Sequence, residues 1–300
     1  MTMPNFLIIG AAKSGTTSIY NYLKKHPQVY MSSLKETNFF AYEGSKLDSK
    51  WWGETPSSIR NSITDIYSYS RQFQDVSNEI AIGESSPLYL YHSNSPVRIK
   101  KYLPRVKIIA VLRHPAERAY SHFRHLVRNN REPISNFLQA LEKESMRIQA
   151  NWNWDYFYKD LGFYYIQLKR YYDIFNRTQI KIFLFSELKS DTRHFMKQVF
   201  KFIGVDYNYM PDVSIKYNIS GIPKNMFIKA CLSNYNPIKK LIKFTLPRET
   251  LAKIYNRIGN KFLVKPDMPL EIRKKLIAEY RDDIIKLQNL INKDLSIWLE

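Results

Sequence analysis

Between Gly10 and Gly15, and just beyond, the chain carries one lysine and a row of hydroxyls: Lys13, Ser14, Thr16, Thr17 and Ser18. A lysine beside consecutive N–H groups in a glycine-bearing turn suits an oxyanion, because N–H groups at a helix start point at the anion and the helix dipole favours its charge. The two glycines keep the spacing of the nucleotide loop G-x-x-x-x-G-K-[ST], yet Thr16 stands where that pattern has lysine. The lysine comes two residues before the second glycine instead. The cradle is kept and its cation has moved.

A second chemical position follows the apolar run Val106–Leu112, which ends in Arg113, with Ser121 eight residues on. Nucleoside triphosphatases built on such a loop end a neighbouring strand in aspartate, which holds magnesium. Arginine does the opposite and binds a second anionic group, bidentately where geometry allows. Ser121 falls in the first turns of the helix opened by Pro115, from where it can face the same anion. The nearest substitute carboxylate is Glu84, closing Ile80-Ala81-Ile82-Gly83. Two anion seats without a plain magnesium carboxylate suit a nucleotide phosphorylated at both its 5′ and 3′ ends.

These residues need strands to carry them. Apolar runs predict strands at 5–10, 80–84, 106–112 and 179–185, with a short extended piece at 28–31. The run at 106–112 is nearly continuous, as expected of a parallel strand buried on both faces. Helical patterns fill 16–26, 66–73, 96–102, 115–129, 135–148, 162–175, 191–203 and 269–291, and the residue before Pro27 ends the first of them. Residues 43–65 read as a loop with short helical turns and 206–225 as loop. Alternating strands and helices predict an α/β, P-loop-type, three-layer fold, a central parallel β-sheet flanked by helices, with a helical C-terminal extension. Ligands then sit at the carboxyl ends of the strands, so the Lys13 loop, the Glu84-Ser85-Ser86 turn and Arg113 are expected in one crevice.

The chain has 46 Lys+Arg against 27 Asp+Glu, a net charge of +19. That excess points either to a polyanionic partner or to a generally lysine-rich surface. The single cysteine, Cys231, allows neither a disulfide nor a thiolate metal site. No basic leader with an apolar core opens the sequence and no run has the ~18 apolar residues of a membrane span, so a cytoplasmic location is expected.

The two motifs together resemble those of sulfotransferases that use 3′-phosphoadenosine 5′-phosphosulfate (PAPS). Gly10-Ala11-Ala12-Lys13-Ser14-Gly15-Thr16-Thr17-Ser18 is similar to the family's 5′-phosphosulfate loop, and Leu112-Arg113 through Tyr120-Ser121 to its 3′-phosphate motif. Lys35-Glu36-Thr37-Asn38-Phe39-Phe40 resembles the E-x-x-F-F segment of the heparan sulfate branch, and Gly83-Glu84-Ser85-Ser86-Pro87-Leu88-Tyr89 its G-E-x-[ST]-P-x-Y turn. Gly162-Phe163-Tyr164, Asn218 through Lys224 and the tail from Tyr280 to Trp298 match recurring family segments. The likeness covers nearly the whole chain, least at 41–65 and 226–265. It implies one domain over 1–300: a core to about 205, a loop at 206–225 that covers the donor, and a basic helical part at 226–300.

The resemblance implies roles. Lys13 serves the bridging oxygen, where leaving-group charge develops. Ser14 to Ser18, including Gly15, Thr16 and Thr17, hold the 5′-phosphate and sulfate. Arg113 and Ser121 hold the 3′-phosphate, and Lys224 closes over the nucleotide. Glu36 is the expected general base, with Glu84 as the alternative; 3′,5′-ADP is the product and no metal is required. Three departures weigh against a heparan sulfate acceptor. Ser85 replaces a lysine, Asn38 a histidine, and a C-terminal cysteine pair is missing. The acceptor expected is a glycan or another hydroxylated small molecule, and nothing in the pattern bears on oligomeric state.

Other features take plainer readings. His114, His122 and His125 lack the carboxylate or cysteine offsets of a metal site. Trp51, Trp52, Trp152 and Trp154 suit either sugar stacking or the rim of a core. The stretch 238–244 is basic and amphipathic, read first as a solvated helix face and second as a contact with the inner membrane surface. Two other functions compete: a kinase with a shifted lysine, and a non-enzymatic binder of nucleic acid or another polyanion. The first lacks G-K-[ST] and a strand-end aspartate. The second needs a reading helix or an aromatic platform, whereas the basic residues are scattered.

Overall fold

The protein is described from a computed structural model covering residues 1–47, 59, 61–214, 217, 222–223, 263–264 and 266–300. Five strands, β1 (Phe6–Gly10), β2 (Val29–Met31), β3 (Ala81–Ser85), β4 (Lys107–Leu112) and β5 (Ile180–Leu184), form one sheet in the order β2-β3-β1-β4-β5. Every pairing in it is parallel. β1 is central, and all five of its residues are buried.

Side chains of successive strand residues point to opposite faces, so each strand feeds two apolar layers. Leu7, Ile9, Ile108, Ala110 and Leu112 share one layer. They pack with α6 (Pro115–Arg128), α9 (Tyr164–Tyr172) and α12 (Leu270–Ile291) through Ala116, Ala119, Leu168, Tyr171, Leu276 and Tyr280. Phe6, Ile8, Ile109, Val111 and Phe183 face the other way, onto Ile19 and Leu23 of α1 (Thr16–Leu23) and Phe195, Met196 and Val199 of α11 (Thr192–Ile203). The three-layer reading holds. The remaining helices are α2 (Phe39–Tyr42), α3 (Ile66–Ser70), α4 (Leu88–Tyr91), α5 (Ser95–Tyr102), α7 (Phe137–Glu142), α8 (Glu144–Gln149) and α10 (Phe185–Ser190).

Four local expectations change. The helix at 66–73 is α3 followed by a tighter turn at Arg71–Phe73. The single helix at 135–148 is two, because the buried Glu144 turns inward to accept from the N–H groups of Lys159 and Asp160, both at 2.7 Å. The strand at 179–185 stops at Leu184, where Glu187 accepts from the Leu184 N–H and starts α10. Ile222–Pro223, expected in a loop, pairs antiparallel with Leu263–Val264, expected in a helical region. Pairing between segments distant in sequence is invisible to local periodicity. The remainder of 218–262, with Lys224, Cys231 and 238–244, lies outside the described residues, as do Trp51 and Trp52.

Candidate active site

β1 runs into the loop 11–15, and Gly15 caps α1 in the left-handed conformation, φ +87°. A Cβ there would come 2.7 Å from Leu188 and 3.1 Å from the Phe185 ring, so glycine is required by both backbone and space. Lys13 is also left-handed, φ +68°. That conformation costs a lysine ~1 kcal/mol or more, and such outliers gather where a site demands them. Burial of its side chain, followed by the charges of Arg128 and Arg113, lowers the Lys13 pKa to about 7 against the opposing charges of Glu36 and Asp155. Ser14 is fully buried, and its hydroxyl finds no partner among the described residues. Thr16 is buried; the Thr17 carbonyl accepts from Asn21; Ser18 Oγ donates to the Tyr217 carbonyl at 3.4 Å.

β4 delivers Arg113 to the same place. Its Nη1 donates to the Lys13 carbonyl at 3.3 Å, and its guanidinium lies 5.1 Å from the centre of the Phe185 ring. Glu117 Oε2 is 3.9 Å from Nη2, and its Oε1 is 3.8 Å from Arg273 Nε. Tyr164 fixes the backbone by donating to the Arg113 carbonyl at 3.0 Å. Ser121 is buried in α6, and its hydroxyl, like that of Ser14, has no partner among the described residues. An unsatisfied buried hydroxyl costs about 1–3 kcal/mol. One lies in each predicted anion motif, and a bound oxyanion would satisfy both. The residues present therefore fit a nucleotide bearing two phosphate-type groups.

Glu36 sits in the turn after β2, left-handed at φ +64°, with its carboxylate paired to Lys35 and its side chain 34% exposed. Its charge is one of the two that oppose the lowering of the Lys13 pKa. Glu84 is different. It is wholly buried at the end of β3, and burial raises its pKa to about 7 against the hydrogen bond that Ser86 donates and the nearby hydroxyls of Tyr89 and Thr37.

The structure thus brings Lys13 and Arg113 of the expected crevice into contact, and joins the Glu84-Ser85-Ser86 turn to Glu36 through the Ser85 carbonyl. Other contributors were not singled out in the sequence for this role. His125 is kept neutral, first by the charge of Lys13 and then by burial, and Arg128 Nη2 lies 3.1 Å from its Nδ1. Ser121, His125 and Arg128 stand at i, i+4 and i+7 of α6, one helical face, a spacing visible in the sequence. Asp155 is buried, which disfavours its charge, but His122 and Arg131 prevail and hold its carboxyl below the usual range. Arg131 meets it at 2.6 Å. Phe185, which bridges Gly15 and Arg113, carried no sequence signal.

No group of three or more His, Cys, Asp or Glu side chains is gathered for a metal ion among the described residues. Burial lowers the pKa of both His114 and His122 to about 4. Trp152 packs on Arg147 and edge-on to Tyr156, the core-rim arrangement. Trp154 is half-buried beside the His122 ring. No helix among the described residues is long and apolar enough to cross a membrane.

Comparison with known proteins gives one answer. The sequence model of the Sulfotransferase family matches residues 4–209. The crystal structure of a sulfotransferase from Alicyclobacillus acidocaldarius is 30% identical, with a TM-score of 0.79 and full coverage of both chains. The bifunctional heparan sulfate N-deacetylase/N-sulfotransferase 4 of Mus musculus is 25% identical over 99% of this chain. The human enzyme 3 of that name is 28% identical over 99%. The chain spans about a third of the length of these two curated relatives, 31% in each case. On the match to the family's sequence model and the likeness to that crystal structure, the chain belongs to the sulfotransferase family.

Proposed function

We propose that the protein transfers the sulfuryl group of PAPS to a carbohydrate hydroxyl. The observation that carries this reading is the joining of the two anion seats, with Arg113 bonded to the Lys13 carbonyl and, in each seat, one buried serine hydroxyl without a partner among the described residues. Sulfuryl transfer moves a less charged group than phosphoryl transfer does, so catalysis is chiefly positioning and charge stabilisation. Lys13 donates to the oxygen on which leaving-group charge grows. The N–H groups and hydroxyls of residues 14–18 hold the 5′ end, and Arg113 and Ser121 hold the 3′-phosphate. Glu36 accepts the proton of the attacking hydroxyl. Burial and the charges of Arg128 and Arg113 keep Lys13 from binding a proton too tightly to share.

The relatives named for heparan sulfate N-sulfation support a glycan acceptor, and they add the amino group of an amino sugar as a second acceptor class. Titration calorimetry with 3′,5′-ADP, 5′-AMP, ATP–Mg and short oligonucleotides tests the donor. The expected result is at least a tenfold preference for 3′,5′-ADP over 5′-AMP. Equal binding of the two would end the sulfotransferase reading in favour of a kinase or a polyanion binder. Labelled PAPS offered with N-deacetylated and O-desulfated polysaccharides separates the acceptor classes.

A further inference from the structure

The turn that carries Glu36 is bound to the end of β3 atom by atom. The Glu36 N–H donates to the Ser85 carbonyl at 3.1 Å. Two residues on, the Asn38 N–H donates to Ser86 Oγ at 3.0 Å, and that hydroxyl in turn donates to Glu84 Oε1. Thr37 Oγ1 lies 3.1 Å from the Tyr89 hydroxyl, which also accepts from the Phe40 N–H at 3.4 Å. Glu36 and Asn38 are both left-handed, at φ +64° and +51°, a conformation that neither glutamate nor asparagine adopts in a free chain without cost. Phe39 and Phe40 anchor the far side, Phe39 stacked 4.5 Å from the Tyr69 ring and Phe40 5.4 Å from Tyr89.

Ser86 is the central link. Its one proton goes to Glu84, which leaves its lone pairs for the Asn38 N–H. A carboxylate at residue 84 fixes that direction because an ionised carboxylate only accepts. A carboxyl protonated on its other oxygen fixes it equally, so the arrangement survives the titration of Glu84 near neutrality. Glu84, Ser85, Ser86, Thr37 and Tyr89 are all fully buried, so water does not offer Asn38 a substitute acceptor.

We propose that Glu84 and Ser86 are positioning residues that hold the Glu36 turn in its left-handed form and so aim the Glu36 carboxylate at the acceptor. The proposal rests on the reading of Glu36 as the base. It gives the buried carboxylate of the β3 turn a structural task in transfer and removes it as a rival base.

The test compares Ser86→Ala, Glu84→Ala, Glu84→Gln and Glu36→Gln with the unaltered protein. Three quantities are read: amide hydrogen exchange of residues 34–42, calorimetric affinity for 3′,5′-ADP, and hydrolysis of labelled PAPS with water as acceptor. In Ser86→Ala and Glu84→Ala, exchange of the turn amides should rise at least tenfold and hydrolysis should fall at least tenfold, with nucleotide affinity unchanged within twofold. Glu84→Gln keeps the accepting oxygen and should restore both protection and hydrolysis. The Glu84→Ala/Ser86→Ala double variant should lose no more than Ser86→Ala alone, since both break one chain of bonds. Should Ser86→Ala not fold, Ser86→Cys keeps the size and weakens the bond, with the same expected pattern. Unchanged protection in Ser86→Ala overturns the proposal, as does a Glu84→Gln variant as inactive as Glu36→Gln. An active Glu36→Gln would remove the base assignment while leaving the exchange result to decide what holds the turn.

Discussion

The guanidinium of Arg113 hydrogen-bonds the backbone carbonyl of Lys13, across 3.3 Å of space and 100 residues of sequence. The same guanidinium rests on the Phe185 ring, and that ring also closes the space beside Gly15. The two anion motifs are therefore not independent. Each is part of the other's wall, and their separation is set by protein contacts before a ligand arrives.

Arg113→Ala should abolish the preference for 3′,5′-ADP over 5′-AMP, a loss of about 1.4 kcal/mol for each tenfold of preference. Arg113→Lys should recover little, because an ammonium cannot stack on Phe185, bond the Lys13 carbonyl and bind an oxyanion at once. Calorimetric titration of both variants with both nucleotides measures this. Retained preference in Arg113→Ala would move the 3′-phosphate seat elsewhere.

Lys13 makes donor binding depend on pH in a defined direction. With its pKa at about 7 when ligand-free, it is largely neutral at pH 8. A bound anion raises that pKa, so binding takes up close to one proton between about pH 7 and the bound-state pKa. Affinity for 3′,5′-ADP should fall as pH rises through that window, by up to about tenfold per unit. Stability of the ligand-free protein runs the other way. The unfolded chain holds the proton up to the ordinary lysine range while the folded chain releases it near 7, so this group's contribution rises with pH between those values. Calorimetry at pH 8 in buffers of different ionisation enthalpy should show the uptake, and Lys13→Arg should lack it.

Gly15→Ala and Gly44→Ala form a controlled pair, since both glycines are left-handed. Gly44 has nothing among the described residues within 4 Å of an added Cβ, while Gly15 has Leu188 and Phe185. The Gly44 variant should lose about 1 kcal/mol. The Gly15 variant should lose roughly a further 1–3 kcal/mol of stability from overpacking, together with measurable nucleotide affinity. Thermal melts with and without 3′,5′-ADP compare them; equal losses would show that the space beside Gly15 yields freely.

Stability away from the site rests in part on a buried ion pair. Arg147 meets Glu132 through two hydrogen bonds of 2.7 and 2.9 Å, and the Tyr158 hydroxyl adds a third at 2.6 Å. Both side chains are essentially inaccessible, at 2% and 0%. Glu132→Gln leaves the arginine charge without its partner and should cost about 3–5 kcal/mol, whereas Glu132→Leu with Arg147→Met should cost far less. Urea denaturation gives both numbers, and 3′,5′-ADP affinity of the folded variants should be unaffected.

The strands were legible because parallel strands buried on both faces leave near-continuous apolar runs, as at 106–112. Lys13 and Arg113 were legible because each follows directly from such a run. What escaped was set by tertiary contact. The break between α7 and α8 depends on Glu144 reaching Lys159 and Asp160, partners that no local window contains. Phe185 looks like any aromatic at a strand end until β5 is laid beside β4. The shared face of Ser121, His125 and Arg128 was present in the spacing and only needed a reason to look there. Glu36 is paired with its neighbour Lys35, a contact that adjacency allows; its left-handed backbone is a property of the folded chain.

Phe185 has one more consequence. A side chain that touches both seats makes the gap between them a gauge of fixed length, so nucleotides whose anionic ends are set closer together cannot fill both. Changing that gauge would need matched alterations in three separate stretches of chain, around residues 13, 113 and 185. Single substitutions would only spoil it. The spacing of the two seats is thereby a joint property of three stretches of chain.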